Sequence, residues 1–259
     1  MKQLFYIFFL LSFSIQSQET IEATLLKKVP FTAEKVVGID NFGTLYYTAN
    51  LSLYKQTEKE TINYSNVQLG KITSANTFNN LKINLFYKNF NTVIILDNRL
   101  AEVFKIDFNT QQLYKNVSLV STGFDNTLWV FNQDLQQLEL FDYKTSKTRA
   151  VSMPVGSKAL SIASNYNFCW LLTENSLYVY NYFGSLVFKL PNEGFTEISE
   201  SNGHLILKKD NALVYLAKDS EKFLPIQLPE LLIKQFLVTN ETLYIYDHEN
   251  LHQFQLKIK

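Results

Sequence analysis

The sequence predicts an all-β fold, a six-bladed β-propeller built from four-stranded antiparallel blades. A hairpin pattern recurs about every 40 residues, close to the length of one propeller blade. Two copies of that pattern align without a gap. The composition agrees, since 21 Phe and 15 Tyr stand against only 8 Gly and 5 Pro, and aromatic residues pack well on pleated sheets.

Each copy of the hairpin pattern has an apolar run, a polar turn and a second, alternating run, as in two strands joined by a tight loop. Leu128–Asp142 (LWVFNQDLQQLELFD) matches Ile83–Asp97 (INLFYKNFNTVIILD) position by position. The copies begin at positions 45, 83, 128, 169, 205 and 243. Helical solenoids share this period, but their apolar residues recur at three- and four-residue intervals. The short alternating runs therefore favour strands.

Further strand candidates flank the hairpins and complete four strands in each of the first five units. The upstream candidates are Lys35–Ile39, Lys71–Ser74, Ser118–Ser121, Ala159–Ala163, Phe195–Ser199 and Phe236–Thr239. The downstream candidates are Thr61–Val67, Glu102–Asp107, Thr148–Met153, Leu186–Leu190 and Phe223–Leu228. The sixth unit lacks a fourth strand, whereas Ile21–Val29 is left over at the start of the chain. We therefore expect this N-terminal strand to join the last blade and close the ring, which also covers open strand edges.

The first residues are typical of a cleavable signal peptide. Lys2 precedes an apolar run, Leu4–Ile15, that is shorter than the ~20 residues needed to cross a bilayer. Ser17 fits the last position before a cut, so residues 1–17 are the predicted signal peptide and residues 18–259 a single propeller domain. An uncleaved anchor or a buried strand are the alternatives. The prediction places the protein in the periplasm, on the outer membrane or outside a bacterium, with no transmembrane segment after cleavage.

Charge and composition argue against several functions. The formal net charge is zero and no basic cluster is longer than a pair, so nucleic-acid binding is not expected. The stretch His248 to His252 (HENLH) spells a zinc-protease motif, but it spans a predicted hairpin turn instead of one helix face. Cys169 begins an apolar strand and fits a small buried hydrophobe. We predict no catalytic, metal or cofactor site.

Aspartates recur near the predicted hairpins. Paired carboxylates can act as acid and base if they converge, but their repeated placement in turns is better explained by turn chemistry. The aspartates are Asp40, Asp97, Asp142 and Asp247.

Two features supply candidate interaction residues. Aromatic side chains stand near strand ends, where interface hot spots are rich in Trp and Tyr; the alternative is that they fill the space between blades. The selected aromatics are Trp129, Trp170, Tyr178 and Tyr182. The second feature is Pro225–Ile233 (PIQLPELLI), which is unusually apolar for a connection. It is interpreted as a short helical turn or an exposed patch, with Leu231 and Leu232 as candidate contacts.

Some of these residues resemble known propellers. Asp40–Tyr46 (DNFGTLY) resembles the D-x-x-G-x-L-Y start of the second blade strand in NHL-type and related sensor-domain propellers, and Asn126–Trp129 keeps part of it. Phe141–Thr145 and Tyr180–Gly184 resemble the third-strand ends of such blades. The whole chain is similar to uncharacterised secreted propellers of the bacterial phylum Bacteroidota. Neither resemblance brings a catalytic residue, and a propeller fold serves many functions.

Three functional hypotheses follow. The leading one is an exported, non-enzymatic propeller that acts as a protein-interaction scaffold in the cell envelope, as a monomer or as a subunit of a complex, with an unidentified envelope protein as partner. The first alternative is a propeller that binds a small ligand or glycan through aromatics at the channel mouth. The second is a propeller enzyme, a lyase or hydrolase, with polar residues converging at that mouth.

Overall fold

The computed structural model describes residues 19–258, and it is built of strands with one short 3-10 turn at Lys88–Phe90. The predicted signal peptide, residues 1–17, lies outside the described residues. Within the described range, no helix has the length and apolar character needed to cross a membrane. The chain is therefore an all-β protein over this range.

The N-terminal strand β1 (Ile21–Pro30) precedes four separate four-stranded sheets, each an up-and-down antiparallel meander. The first blade has β2 (Lys35–Ile39), β3 (Leu45–Ala49), β4 (Ser52–Gln56) and β5 (Thr61–Ser65). The second has β6 (Ser74–Asn76), β7 (Ile83–Tyr87), β8 (Thr92–Leu96) and β9 (Glu102–Asp107). The third has β10 (Val117–Thr122), β11 (Thr127–Asn132), β12 (Gln137–Asp142) and β13 (Lys147–Val151). The fourth has β14 (Ala159–Ser164), β15 (Phe168–Thr173), β16 (Ser176–Asn181) and β17 (Leu186–Pro191).

The remaining strands form one continuous eight-stranded sheet together with β1. They are β18 (Glu197–Ser201), β19 (His204–Lys209), β20 (Ala212–Leu216), β21 (Phe223–Gln227), β22 (Gln235–Thr239), β23 (Thr242–Tyr246) and β24 (Asn250–Lys257). Their order in the sheet is β18-β19-β20-β21-β1-β24-β23-β22, so β1 lies at its centre.

The prediction of six four-stranded blades is wrong. Four blades are four-stranded sheets, and the other eight strands are one sheet because β1 pairs on both of its edges. It runs parallel to β21 at Ile21↔Ile226 and Glu22↔Gln227. Ile21 and Ile226 are also buried in one apolar cluster. Counting hairpins cannot reveal so short a parallel pairing between distant segments.

The expected pairing of the N-terminal strand with the last strand is confirmed. β1 is antiparallel to β24 from Glu22↔Lys257 to Pro30↔Asn250, with one irregularity between Leu25 and Lys27. Main-chain hydrogen bonds thus join the two ends of the described chain.

The apolar core lies between neighbouring sheets. One cluster, for example, packs Tyr46 and Leu53 of the first blade against Leu85 and Ile94 of the second. Strands in the middle of a blade are covered on both faces, and every residue of β7 and of β8 is buried. Cys169 is fully buried in a comparable cluster, as a small hydrophobe would be, and burial raises the pKa of its thiol well above the usual value.

Deleting residues 19–30 should open the ring. The loss removes the pairing to β24 and β21 and exposes both as free edges, which favour association between chains. We expect the thermal midpoint to fall by at least about 5 °C and oligomers to appear in size-exclusion chromatography. A synthetic peptide of residues 19–30 added to the truncated chain should restore the midpoint, and a scrambled peptide should not. Unchanged stability of the truncated chain would contradict this role of β1.

Candidate functional site at the channel mouth

A central cavity of about 790 Å³ lies on the axis of the molecule and is lined by the innermost strand of every meander. Each of these strands contacts its neighbours on either side, in the circular order β2, β6, β10, β14, β18, β22. The turns that follow them meet at one end of the cavity, which we call the mouth. Concave pockets of several hundred Å³ are the usual size of ligand sites, and the lining of this one is rich in Ser, Thr and Asn.

Six side-chain hydrogen bonds join each meander to the next around the mouth, and we call this set the polar collar. Each bond joins residues at the ends of two neighbouring inner strands, or in the turns after them. The donors and acceptors are Asn80 Nδ2 to Asp40 Oδ2 (3.0 Å), Asn76 Nδ2 to Ser121 Oγ (3.1 Å), Ser121 Oγ with Ser164 Oγ (2.7 Å), Asn165 Nδ2 to Glu200 Oε1 (2.8 Å), Asn202 Nδ2 to Asn240 Oδ1 (3.1 Å) and Asn240 Nδ2 to Asn41 Oδ1 (3.0 Å). The collar fixes the turns relative to one another, because each turn is tied to both neighbours.

Exposed aromatic rings stand beside the collar on the same face, and we call them the aromatic arc. Its members are Phe78, Phe124, Tyr166, Tyr182 and Phe183, each between 39% and 66% exposed. The ring centroids are 4.9 Å apart for Phe78 and Tyr166, 6.5 Å for Phe124 and Tyr166, 5.9 Å for Phe124 and Tyr182, and 4.0 Å for Tyr182 and Phe183. The arc is thus one contiguous apolar surface drawn from three blades. A patch of this kind, rimmed by polar groups, is typical of a binding site.

Local hydrogen bonding holds the arc outward. Asn76 Oδ1 accepts from the Phe78 backbone N–H at 3.1 Å, and Asn181 Oδ1 accepts from the Phe183 N–H at 3.0 Å. These Asx turns place the following aromatic at the tip of its turn. Gly184 has a φ of +83°, and a Cβ there would lie 2.5 Å from the Ala150 side chain. Only glycine allows this turn to rest against the third blade.

Glu200 is a half-buried carboxyl of the collar. Its Oε1 accepts from Asn165 Nδ2 and from the Gly203 backbone N–H, both at 2.8 Å. Burial raises the pKa of Glu200, and these two hydrogen bonds oppose the shift without cancelling it. The carboxyl also lines the cavity, so a ligand in the mouth would meet it.

The recurring aspartates are turn formers, as the sequence indicated. The Oδ1 of each accepts two backbone N–H groups of its own turn: those of Phe42 and Thr44 for Asp40, Arg99 and Ala101 for Asp97, Lys144 and Thr145 for Asp142, and Glu249 and Asn250 for Asp247. The acid–base interpretation of these residues gains no support from this placement.

The HENLH stretch spans a hairpin turn, as predicted. His248 sits in the turn with a φ of +87°, and His252 lies on β24 with its Nε2 at 2.7 Å from Asp247 Oδ2. Burial acts to raise the pKa of Asp247, but hydrogen bonds from His252 and the Asn250 N–H hold it below its usual range. This turn follows β23, so it lies at the end of the sheet opposite the mouth. In residues 19–258, no group of three or more His, Cys, Asp or Glu is arranged to hold a metal.

Of the predicted aromatic interaction residues, three are buried and one is exposed. Trp129, Trp170 and Tyr178 are only 2%, 4% and 7% exposed, so they do not form a surface and instead fill the space between sheets. Tyr182 is 42% exposed and belongs to the aromatic arc. The interaction prediction is corrected for the first three residues, since strand residues that alternate toward a neighbouring sheet are covered by it.

The apolar connection after β21 is irregular, with a bend at Glu230, and contains no helical turn. Leu231 is packed against the apolar cluster of the eight-stranded sheet, and Asn211 bonds the backbone of this segment at Leu231 O and Ile233 N, both at 2.8 Å. Of the two predicted contacts, only Leu232 is largely exposed, at 51%. The segment therefore exposes Leu232 as its one large apolar side chain.

Sequence reasoning missed most of the arc because it searched strand ends. The usable signal was an aromatic enclosed by turn residues: TFN at 77–79, GFD at 123–125, NYN at 165–167 and NYFG at 181–184. A turn tip has nothing to cover a large ring, so an aromatic there is exposed. The DNFG turn at 40–43 has the same form, and its Phe42 is 91% exposed.

No family model matches the chain, and no curated protein matches it at a significant level. Among solved structures, an inactive virginiamycin B lyase from Staphylococcus aureus with quinupristin superposes with a TM-score of 0.63 at 14% identity, over 94% of this chain and 97% of that chain. A streptogramin B lyase gives 0.61 at 14% identity, over 85% and 78%. PorZ, a surface component of the type-IX secretion system of Porphyromonas gingivalis, gives 0.52 at 13% identity, over 91% of this chain and 39% of that chain. At these identities the likeness shows the β-propeller fold alone.

The stability of the Glu200→Gln variant relative to wild type should depend on pH, because the Glu200 carboxyl is desolvated. The pKa of Glu200 is raised in the folded state above its unfolded value of about 4.3. The folded wild type therefore binds the proton more tightly, and its free energy of unfolding falls relative to that of the variant as pH rises from below the unfolded pKa through the folded pKa. Gln keeps an acceptor for Asn165 and Gly203. Urea unfolding at about pH 4 and pH 7 should show a larger advantage of Gln at the higher pH.

A matched control for this experiment is Glu58→Gln, at an exposed carboxyl in the turn after β4. Its stability difference from wild type should change much less between the two pH values. An equal pH response of both variants would contradict the environment assigned to Glu200.

Proposed function

We propose that this chain is a non-enzymatic binding propeller that acts in the cell envelope and captures a protein partner on the aromatic arc. The observation that carries the proposal is the arc itself: five contiguous exposed rings beside the mouth, of which Phe78 lines the cavity. Phe78, Phe124 and Tyr166 stand on turns that follow inner strands tied by the collar. Rigid aromatic side chains give large contact area at low entropic cost, and they dominate interface hot spots.

The arrangement of titratable groups favours binding over catalysis. General acid–base chemistry needs groups within hydrogen-bond reach of one reacting atom. In the described residues, Asp40 and Glu200 share no hydrogen bond with each other or with a histidine. His204 begins β19 directly after the mouth turn that ends β18, but its Nδ1 bonds the Tyr215 hydroxyl and accepts from the Lys218 N–H, and burial and Lys218 lower its pKa.

The predicted signal peptide supports an envelope location for this function. The apolar run at Leu4–Ile15 is too short to span a membrane and has the flanks of a cleavable signal. With a cut before Gln18, β1 would begin three residues into the mature chain. The proposed partner is then another envelope or surface protein.

Removing two rings from the arc should abolish capture of that partner. We expect proteins cross-linked to wild type in an envelope extract to be recovered at least about tenfold less well by the Phe124→Ser/Tyr166→Ser variant, because hot-spot aromatics carry most of the binding free energy. Quantitative mass spectrometry of the captured proteins measures this loss. Circular dichroism should show an unchanged fold, since both rings are exposed.

The matched control is Tyr114→Ser. Tyr114 is 57% exposed and precedes β10, so it lies at the opposite face from the mouth. Its capture profile should equal that of wild type. The proposal fails if wild type enriches no protein over the resin, or if both variants capture the same proteins equally.

A small ligand or glycan is the second candidate, and the cavity is the observation that favours it. About 790 Å³ is enough for such a ligand, and the collar offers amide, hydroxyl and carboxyl groups for its polar atoms. A glycan panel should then raise the thermal midpoint of wild type but not of Glu200→Gln or Asn165→Ala. No shift with any glycan would exclude this candidate for that panel.

A further inference from the structure

The charged residues of the cavity are sorted along its axis. Lys35 and Lys234 lie where β2 and β22 begin, at the end remote from the mouth, while Asp40 and Glu200 lie at the mouth. Since the inner strands run in the same direction, the cavity has a basic end and an acidic end.

The acid at the basic end does not disturb this polarity. Glu197, at the start of β18, is paired with Lys208 at 3.1 Å. No basic side chain of the described residues lines the mouth end of the cavity.

Neither mouth carboxylate has a cationic partner. Among residues 19–258, no Lys, Arg or His forms an ion pair with Asp40 or Glu200, and both hydrogen bonds to Glu200 end on Oε1, leaving Oε2 without a donor. The nearby basic side chain of Lys82 is directed elsewhere, since its Nζ donates to Asp125 O at 2.9 Å and to Asn126 Oδ1 at 3.2 Å. The negative charge at the mouth is therefore uncompensated by the protein.

The two carboxylates are linked to one pair of arc rings. Asp40 bonds Asn80, which follows Phe78 in the same turn, and Glu200 bonds Asn165, which immediately precedes Tyr166. The Phe78 and Tyr166 rings contact each other edge to face at 4.9 Å. Each ring thus stands on a turn that is hydrogen-bonded to one of the two carboxylates, and a cation is attracted both by an aromatic face and by a carboxylate.

We propose that the partner segment bound at the mouth carries a positively charged Arg or Lys side chain, seated on the Phe78–Tyr166 pair between Asp40 and Glu200. This inference rests on the proposed protein-binding function and names the chemistry of its partner. Arginine fits best, because its planar guanidinium stacks on aromatic rings while donating to a carboxylate. The free Oε2 of Glu200 is the acceptor available to it.

The inference is tested by selecting peptides from a random dodecapeptide phage library on the immobilised full chain. The selected sequences should be enriched in Arg or Lys. Their affinity should fall at least about tenfold for Asp40→Asn/Glu200→Gln and for Phe124→Ser/Tyr166→Ser, and it should weaken as salt rises. The charge-matched control is Glu58→Gln/Glu60→Gln, in the exposed turn after β4, and it should bind like wild type.

The outcomes separate the inference from the function on which it rests. One outcome rejects only the inference: the selected peptides lack basic residues, bind Asp40→Asn/Glu200→Gln like wild type, and do not bind Phe124→Ser/Tyr166→Ser. The partner would then not be cationic, while protein binding by the aromatic arc would stand. No selected peptide, or peptides that bind the arc variant as well as wild type, overturn both. Acidic consensus sequences also overturn the inference. The single variant Glu200→Gln, which keeps the turn of Asp40 intact, shows the same direction of change if the double variant is unstable.

Discussion

The pairing of β1 with the end of the chain is the constraint on which the rest of the structure depends. Over Glu22–Pro30 this strand supplies the missing partner of β24, and at Ile21 it also reaches β21. Both neighbours would otherwise be open edges. The inner strands face one another around the cavity only while the ring is closed. The collar needs the same closure, because it includes the Asn240–Asn41 bond between the last and first meanders.

The mouth combines rigidity with exposure. Collar bonds and Asx turns fix the backbone of each turn, so an aromatic at its tip is held in water with little freedom to fold back. Exposing Phe124 or Phe183 costs the molecule the burial free energy of a large ring, and nothing in the packing of the blades requires those rings. A partner that covers the rings would recover this burial free energy, and rings already held in place lose little entropy on binding.

Local patterns in the sequence were sufficient for the hairpins and for the turn aspartates, because both depend on neighbours within a few residues. They were insufficient wherever distant segments meet. The parallel contact of Ile21 with Ile226 has no local signature. Lys115 and Glu139 look like surface charges, yet they form an ion pair that is almost fully buried. The exposure of each arc ring has a local signal in its turn residues, but the union of the rings has none, since they belong to turns of three different blades and become one surface only after the ring has closed.

The position of β1 also limits when the eight-stranded sheet can be completed during folding. It is the first strand of the described chain to be made, but its main partner is the last, more than 200 residues later. Until residues 250–257 exist, β1 has no complete sheet to enter, and the eight-stranded sheet cannot form. Folds that depend on such distant pairing form slowly. Until that pairing forms, β1 and β24 both carry an open edge, so the folding chain is most prone to aggregate before residues 250–257 are in place.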